Sequence, residues 1–322
     1  MSNTTANTAA FIEAQQYSAF ILENLHTVLL PTIFYRDVSD FGAGTTLNIK
    51  TVGTASIQEV EEDTPLIYNP IETGNITMQI TDYIGNAWYV TDILRQDGSQ
   101  IETLMAMYGM ENTRAINTNF ETRVYEVANL AQADSDDNLV NGHAHRRLAS
   151  GGSEQMAEND LIDMRLAFDK ANVPMAGRIA IVDPVVAATF SKLITMTSAV
   201  DHSRNPIFQK LLEDGFANEH SFALSLHGWD IWTSNLLPTI AAGAGVGTST
   251  TVTNAGIANI FMSVLDDNTK PVMVAWRQQP KVEGERNKDR QRDEFVTTAR
   301  WGVGVQRLDT LGVIVTDAVA TA

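Results

Sequence analysis

Phe295-Val296-Thr297-Thr298-Ala299-Arg300-Trp301-Gly302-Val303-Gly304-Val305 is a long strand pattern, in which Trp301, Val303 and Val305 alternate with glycines. Just before it, from Lys281 to Glu294, nearly every residue is charged or polar and the signs are mixed. Lys281, Arg286, Lys288, Arg290 and Arg292 stand beside Glu283, Glu285, Asp289, Asp293 and Glu294. The basic residues suggest a nucleic-acid patch, but the interleaved acids cancel the field that such a patch needs. The better reading is a two-signed edge forming salt bridges within a subunit or across an interface. Each exposed pair contributes under about 1 kcal/mol, yet such pairs help set register and partner choice. A strand over Pro271 to Arg277 precedes the charged stretch, and a last strand over Leu311 to Val315 follows the long one.

Toward the N-terminus, helices and strands mix. Strands are expected near Trp229 to Thr233 and Ala258 to Val264, with the Gly/Ala/Ser/Thr-rich segment Ala241 to Asn254 as a surface loop. A short apolar strand, Ile179 to Val182, leads into Asp183-Pro184, which reads as N-cap and first residue of a helix. Asp160 opens another helix, with Leu161, Met164, Phe168 and Ala171 on one face, and Pro174 and Gly177 break it. Residues 138 to 158 are loop-like.

A long helix precedes them. Ser99 and Glu102 make a capping box; Ile101, Leu104, Met105 and Tyr108 recur at helical spacing, and Phe120, Val124, Val127 and Ala128 continue it to about Ala133. Asp134-Ser135-Asp136-Asp137 stops it, and Asn112 and Asn119 interrupt the stripe, as in a helix only partly buried. From Gly44 to Thr91 the period falls to two: Leu47 and Ile49, then Ile76, Met78 and Ile80, alternate with polar residues. Between the runs lies a solvated acidic stretch, Glu59, Glu61, Glu62 and Asp63 before Pro65. Together these form an extended hairpin. An isolated hairpin is marginal in water, so this one must rest on something else, such as another subunit. Met1 to Ala10 read as an extended arm, and Phe11, Tyr17, Ile21, Leu22 and Leu25 as a helix ended by Pro31.

The 322 residues suit one large irregular domain or two joined ones. Hydrophobic residues at 44% and charged residues at 19% are globular values. No apolar run reaches the roughly 20 residues of a membrane span, and Met1 to Asn24, without Lys or Arg, lacks the basic start of a secretory signal. The absence of cysteine excludes disulfides, thiolate metal sites and cysteine nucleophiles. A net charge of −17 argues against gripping phosphates or anionic membranes.

Chemistry is sparsely signalled. Gly243, Gly245 and Gly247 follow Pro238 and precede Ser/Thr residues, so no helix opens after them as a phosphate loop requires. His143 and His145 would share one strand face and could begin a metal site, but Arg146 and Arg147 follow at once and a polar loop is the plainer reading. His26, His202, His220 and His227 read as ordinary surface or core residues. No catalytic residue, cofactor or metal is expected.

The order of elements resembles the major capsid proteins of tailed double-stranded DNA phages, an α+β chain of the HK97-like fold. Two stretches carry the likeness: Gly177-Arg178-Ile179-Ala180-Ile181-Val182-Asp183-Pro184, and Val274-Ala275-Trp276-Arg277 through Asp293-Glu294-Phe295-Val296 to Gly312-Val313-Ile314-Val315. The resemblance implies an N-terminal arm over 1–43, an E-loop hairpin over 44–92, a P-domain with its spine helix over 93–159, an A-domain over 160–275, the long P-domain strands over 276–310 and a closing A-domain strand over 311–322. It implies a coat protein that self-assembles into hexamers and pentamers of an icosahedral head. That head encloses double-stranded DNA without reading its sequence, and is built in the host cytoplasm. Portal and scaffolding proteins, and a cement or decoration protein, are the implied partners. Some members cross-link a Lys of the E-loop to an Asn on a neighbour; Thr51 to Thr73 contains no Lys, so that chemistry is not expected here. Glu59, Glu61, Glu62, Asp63, Arg286, Lys288, Arg290, Arg292 and Trp301 are the expected intersubunit contacts, with Trp301 and its strand near local threefold axes. The rival readings are an encapsulin-like cage for enzymes, a tail protein, and a soluble enzyme with an embedded hairpin.

Overall fold

The computed structural model describes residues 32–317 except 41–43, 54, 56, 61, 64, 66, 99–100, 132–137, 198–221 and 248–249, and leaves out the side chains of 191–197 and 222–224. The expected N-terminal helix, Ser99, the Asp134–Asp137 stop, His26, His202 and His220 lie outside the described residues.

In chain order the strands begin with β1 (Arg36–Asp37), β2 (Thr46–Val52), β3 (Thr73–Gln79) and β4 (Asp82–Thr91). Two helices follow, α1 (Asp92–Asp97) and α2 (Ile101–Ala131). Short strands β5 (Leu139–Val140), β6 (His143–Ala144) and β7 (Arg146–Leu148) lead to α3 (Glu158–Lys170), β8 (Arg178–Val182) and α4 (Pro184–Thr197). The rest is strand: β9 (Phe222–Leu226), β10 (Trp229–Thr233), β11 (Thr239–Ile240), β12 (Gly256–Ser263), β13 (Val272–Asn287), β14 (Arg292–Val305) and β15 (Leu311–Asp317).

These form two main sheets. One runs β7-β15-β12-β8-β10-β9, with β11 on β12; the other runs β1-β13-β14-β4. In the first, β8 and β12 are buried almost throughout and β15 up to its last residue, so they read as apolar runs without alternation. Helix α3 covers one face: Leu161, Met164 and Phe168 meet Trp229 and Phe261, with Phe168 and Trp229 ring centroids 5.0 Å apart. The C-terminal half of α2 joins the two sheets. Phe120, Val124 and Ala128 share a core with Ile181, Ile260 and Met262 of one sheet and Val272, Val274 and Trp301 of the other.

Local chemistry explains the joints. Val185 N–H donates to the Asp183 carboxylate at 2.9 Å, the N-cap expected before Pro184. The helix expected to open at Asp160 opens at Glu158 instead, because Asp160 serves as its third residue. Its buried carboxylate accepts from Ala157 N–H at 2.9 Å and Ser150 N–H at 3.0 Å.

The charged stretch 281–294 is mostly strand, because β13 and β14 pair from Val272↔Val305 to Asn287↔Arg292 and leave only 288–291 as the turn. Two expectations need correcting. Asn112 does not mark an exposed interruption: it is buried under β4, where its side-chain oxygen accepts from Asn86. Segment 241–254 is no plain surface loop, since Val246 and Val252 are buried with Ile240, Ala258 and Val313. It folds back on itself, with Gly243 N–H donating to Val252 O at 2.8 Å and Val246 N–H to Thr250 O at 2.8 Å. No helix among the described residues is long and apolar enough to cross a membrane.

Candidate intersubunit surfaces

The hairpin β2–β3 pairs from Thr46↔Gln79 to Val52↔Thr73. Its root is fixed to the sheet below: Met78 and Ile80 pack with Met273 and Ala275, and Leu47, Ile49 and Ile76 lean on them. Gly302 and Gly304 of β14 make this approach possible. A Cβ on Gly302 would sit 2.6 Å from Gln79 O and 2.8 Å from Ile80 Cα; one on Gly304 would sit 2.8 Å from Met78 Cγ. The alternation of Trp301, Val303 and Val305 with glycine is therefore a seat for the crossing hairpin.

Beyond the root the two arms stay joined. Gly53 N–H donates to Glu72 O at 2.8 Å. Farther out the Gln58 amide replaces backbone pairing: its Nε2 donates to Ile67 O at 2.5 Å, and its Oε1 accepts from Ile67 N–H at 3.0 Å. Glu59, Glu62 and Asp63 are exposed here and hold no ion-pair partner among the described residues; Glu61 lies outside them. The acidic reading of this tip was incomplete. Val52, Ile57, Val60, Ile67, Tyr68 and Ile71 are 70 to 98% exposed, with nothing among the described residues to cover them. Burying one such side chain is favourable by about 1.5–3 kcal/mol.

A second exposed apolar zone lies on α1 and the start of α2. Helix α2 packs on β4 and β14 through Trp88, which stacks on Phe295 at 4.3 Å and meets Tyr108 edge-on at 5.2 Å. Only part of its first three turns is covered, so Leu104, Tyr108 and Met110 keep large exposed areas while Ile101 is buried, and Ile93 and Leu94 on α1 are exposed too. A spacing rule detects the stripe but not where the opposing surface stops.

The charged residues of β13 and β14 divide. Arg286 clamps Asp92 at 2.7 Å and reaches Asp293 at 3.3 Å; Arg95 joins Asp293 at 2.8 Å and Glu102 at 2.9 Å. Hydrogen bonding by Arg286 holds the Asp92 carboxyl below its ordinary range. Arg292 pairs with Glu294 at 2.7 Å and lies 4.2 Å from the Tyr89 ring centre, and hydrogen bonds from Arg292 and Asn287 lower the Glu294 carboxyl. Arg286 and Arg292 thus brace their own subunit. Lys288 and Arg290, on the exposed turn, have no ion-pair partner among the described residues.

Trp301 requires a correction. It is 0% exposed, enclosed by Phe120 at 5.6 Å and Trp276 at 5.2 Å, and a side chain so enclosed has no surface to offer a neighbour.

The two histidines also separate. His145 is buried against Phe168 at 5.5 Å, and burial lowers its pKa, whereas His143 lines a polar depression with Arg147 and Asp163. Arg147 is already held by Asp163 at 2.8 Å. His227 bonds to Glu158 at 2.7 Å.

Solved structures share this architecture over nearly their whole length. The capsid structure of cyanophage P-SCSP1u matches with TM-score 0.71 and 17% identity, covering 97% of this chain and 94% of that one. The mature capsid of bacteriophage PhiM1 matches at 0.68 and 13%, covering 98% and 96%. The fold is that of phage capsids. The cyanophage Pam1 capsid adds a match at 0.63 and 15%, covering 100% and 99%. No family model matches the sequence, and no curated protein matches it. At these identities the capsid fold is what the likeness establishes.

Proposed function

We propose that the chain is the major capsid protein of a tailed phage, a structural subunit without catalytic role. It self-assembles into hexamers and pentamers of an icosahedral head around double-stranded DNA, and resides in the virion. The observation that carries this reading is the pairing of a capsid fold with a hairpin tip whose large apolar residues are left uncovered by the described residues. A soluble monomer gains nothing from such a tip and risks aggregation. A shell subunit gains a docking element repeated at every contact around a symmetry axis.

In this reading the hairpin is the E-loop, the α2 and β13–β14 body is the P-domain, and the seven-stranded unit is the A-domain. The division differs in detail from a simple cut along the chain. Strand β4 belongs with β14 rather than with the hairpin, β7 joins β15, and β13 runs through position 275. Glu59, Glu62, Asp63, Lys288 and Arg290 are the charged residues best placed to meet neighbours. Portal, scaffolding and decoration proteins are the further partners this role requires.

Expression of the chain with and without its scaffold, followed by size-exclusion chromatography and negative-stain electron microscopy, tests the reading. Closed icosahedral particles, or capsomers that close when scaffold is added, support it. A monomer or dimer under every condition would overturn it.

A further inference from the structure

Helix α1 is six residues long and links the end of β4 to the start of α2. Side-chain packing does not hold it in place. None of its residues is buried, and Ile93 and Leu94 are 73% and 49% exposed. A helix this short is not stable in isolation, because so few hydrogen bonds do not offset the cost of fixing its first turn. Its shape must therefore be imposed by ties to the elements around it.

Those ties are mainly ionic. Arg286 of β13 clamps the Asp92 carboxylate through two parallel bonds, Nη1 to Oδ1 at 2.9 Å and Nη2 to Oδ2 at 2.7 Å. The same guanidinium reaches Asp293 of β14 at 3.3 Å. Asp293 holds Arg95 of α1 at 2.8 Å, and Arg95 continues to Glu102 in the first turn of α2 at 2.9 Å. Asp92, Arg286, Asp293, Arg95 and Glu102 thus alternate in sign along one path that joins α1, β13, β14 and α2. The uncharged ties are longer: Asp92 N–H donates to Gln291 O at 3.1 Å, and Leu94 N–H to the Thr91 hydroxyl at 3.4 Å. The Arg95, Arg286 and Glu102 side chains are 47, 51 and 69% exposed, so dissolved ions reach them. The distance over which exposed charges attract shrinks to about 3 Å at about 1 M salt. A fixture made of such pairs weakens as salt rises, whereas a buried apolar sheet does not.

We propose that α1 is a strap that responds to ionic strength. Closed, it ties the start of α2 to the tip of β13 and β14. In high salt it opens and melts, and the two are free to move independently. This inference stands on the single chain and holds whether or not the chain forms a shell.

The test is hydrogen–deuterium exchange of the purified full-length chain as free subunit, at one pH and temperature, in about 0.05 M and about 1 M sodium chloride. Amides of 93–98 should exchange several-fold faster in the higher salt, after correction for intrinsic rates, while those of β8 and β15 keep their protection. Arg95→Gln and Arg286→Gln should each show the faster exchange already in low salt and lose most of the salt response. Protection in β8 and β15 reports whether each variant is folded. Lys288→Gln removes a positive charge from the neighbouring turn without touching the network, and should behave as the parent does. Exchange over 93–98 that is indifferent to salt in the parent would overturn the proposal. So would a salt response of undiminished size in both arginine variants, or one of equal size in β8 and β15.

Discussion

The seven-stranded sheet and the β2–β3 hairpin use the same kinds of side chain to opposite ends. In β8 and β15, Ile179, Ile181, Val313, Ile314 and Val315 are closed off by α2, α3 and neighbouring strands. In the hairpin tip Ile57 is 98% and Tyr68 94% exposed. The first region satisfies its apolar surface within the subunit. The second holds its shape through a few backbone bonds and the Gln58 clasp, and leaves its apolar surface for a partner. Core substitutions should therefore act on folding, and tip substitutions on assembly.

The largest expected effect separates the two outright. Replacing Ile57, Val60, Ile67, Tyr68 and Ile71 together with serine should abolish closed particles, while the thermal unfolding midpoint of the free subunit stays within a few degrees of the parent. Electron microscopy and circular dichroism on the same samples read both outcomes. Trp301→Ala should do the reverse. Emptying an enclosed aromatic site costs about 3–5 kcal/mol, visible in urea unfolding of the free subunit.

Gly302→Ala lies at the boundary of the two regions. Its new methyl group would press on Gln79 and Ile80, an overpacking worth about 1–3 kcal/mol. If the hairpin root yields instead of the sheet, stability falls less but assembly fails. Asn112→Leu should cost only about 0.5–1.5 kcal/mol, the net worth of one hydrogen bond, because its partner Asn86 of β4 is exposed and can turn to water; the same unfolding curves measure it.

The smallest effect concerns pH. The folded pKa values of Asp92 and Glu294 are depressed, chiefly by hydrogen bonds from Arg286 and Arg292. Their contribution is present above the unfolded carboxylate pKa and is lost as pH falls below about 4. Both groups are exposed, so the loss should be local. Proteolysis near the 288–291 turn should quicken below that pH, and Arg286→Gln should show the quicker rate already at neutral pH.

Much of this was legible in the sequence. The strand from Phe295, the alternation at Leu47–Ile49 and Ile76–Ile80, and Asp183-Pro184 each carry a local signal strong enough to place an element. Three things were not legible, each because it depends on residues distant in the chain. The register of charged residues 281–287 and 292–294 is set by pairing between distant segments, which their composition does not show. Trp301 is expected at a contact because the resemblance puts its strand near local threefold axes, but Phe120 and Trp276 enclose it. The tip looked solvated because its acids drew attention from Ile57, Val60 and Ile67, whose spacing fits no single periodicity. The interleaved signs did correctly foretell ion pairs, although those of Arg286 and Arg292 close within the subunit.

The most direct test of the central claim is hydroxyl-radical footprinting of the free subunit and of the assembled particle, read at Tyr68. A partner-covered tip predicts that labelling of Tyr68 falls at least several-fold on assembly, while the already buried Phe168 and Trp229 stay unlabelled in both states. Equal labelling of Tyr68 in subunit and particle would contradict the account, because the apolar tip would then face solvent in the shell as it does in the single chain.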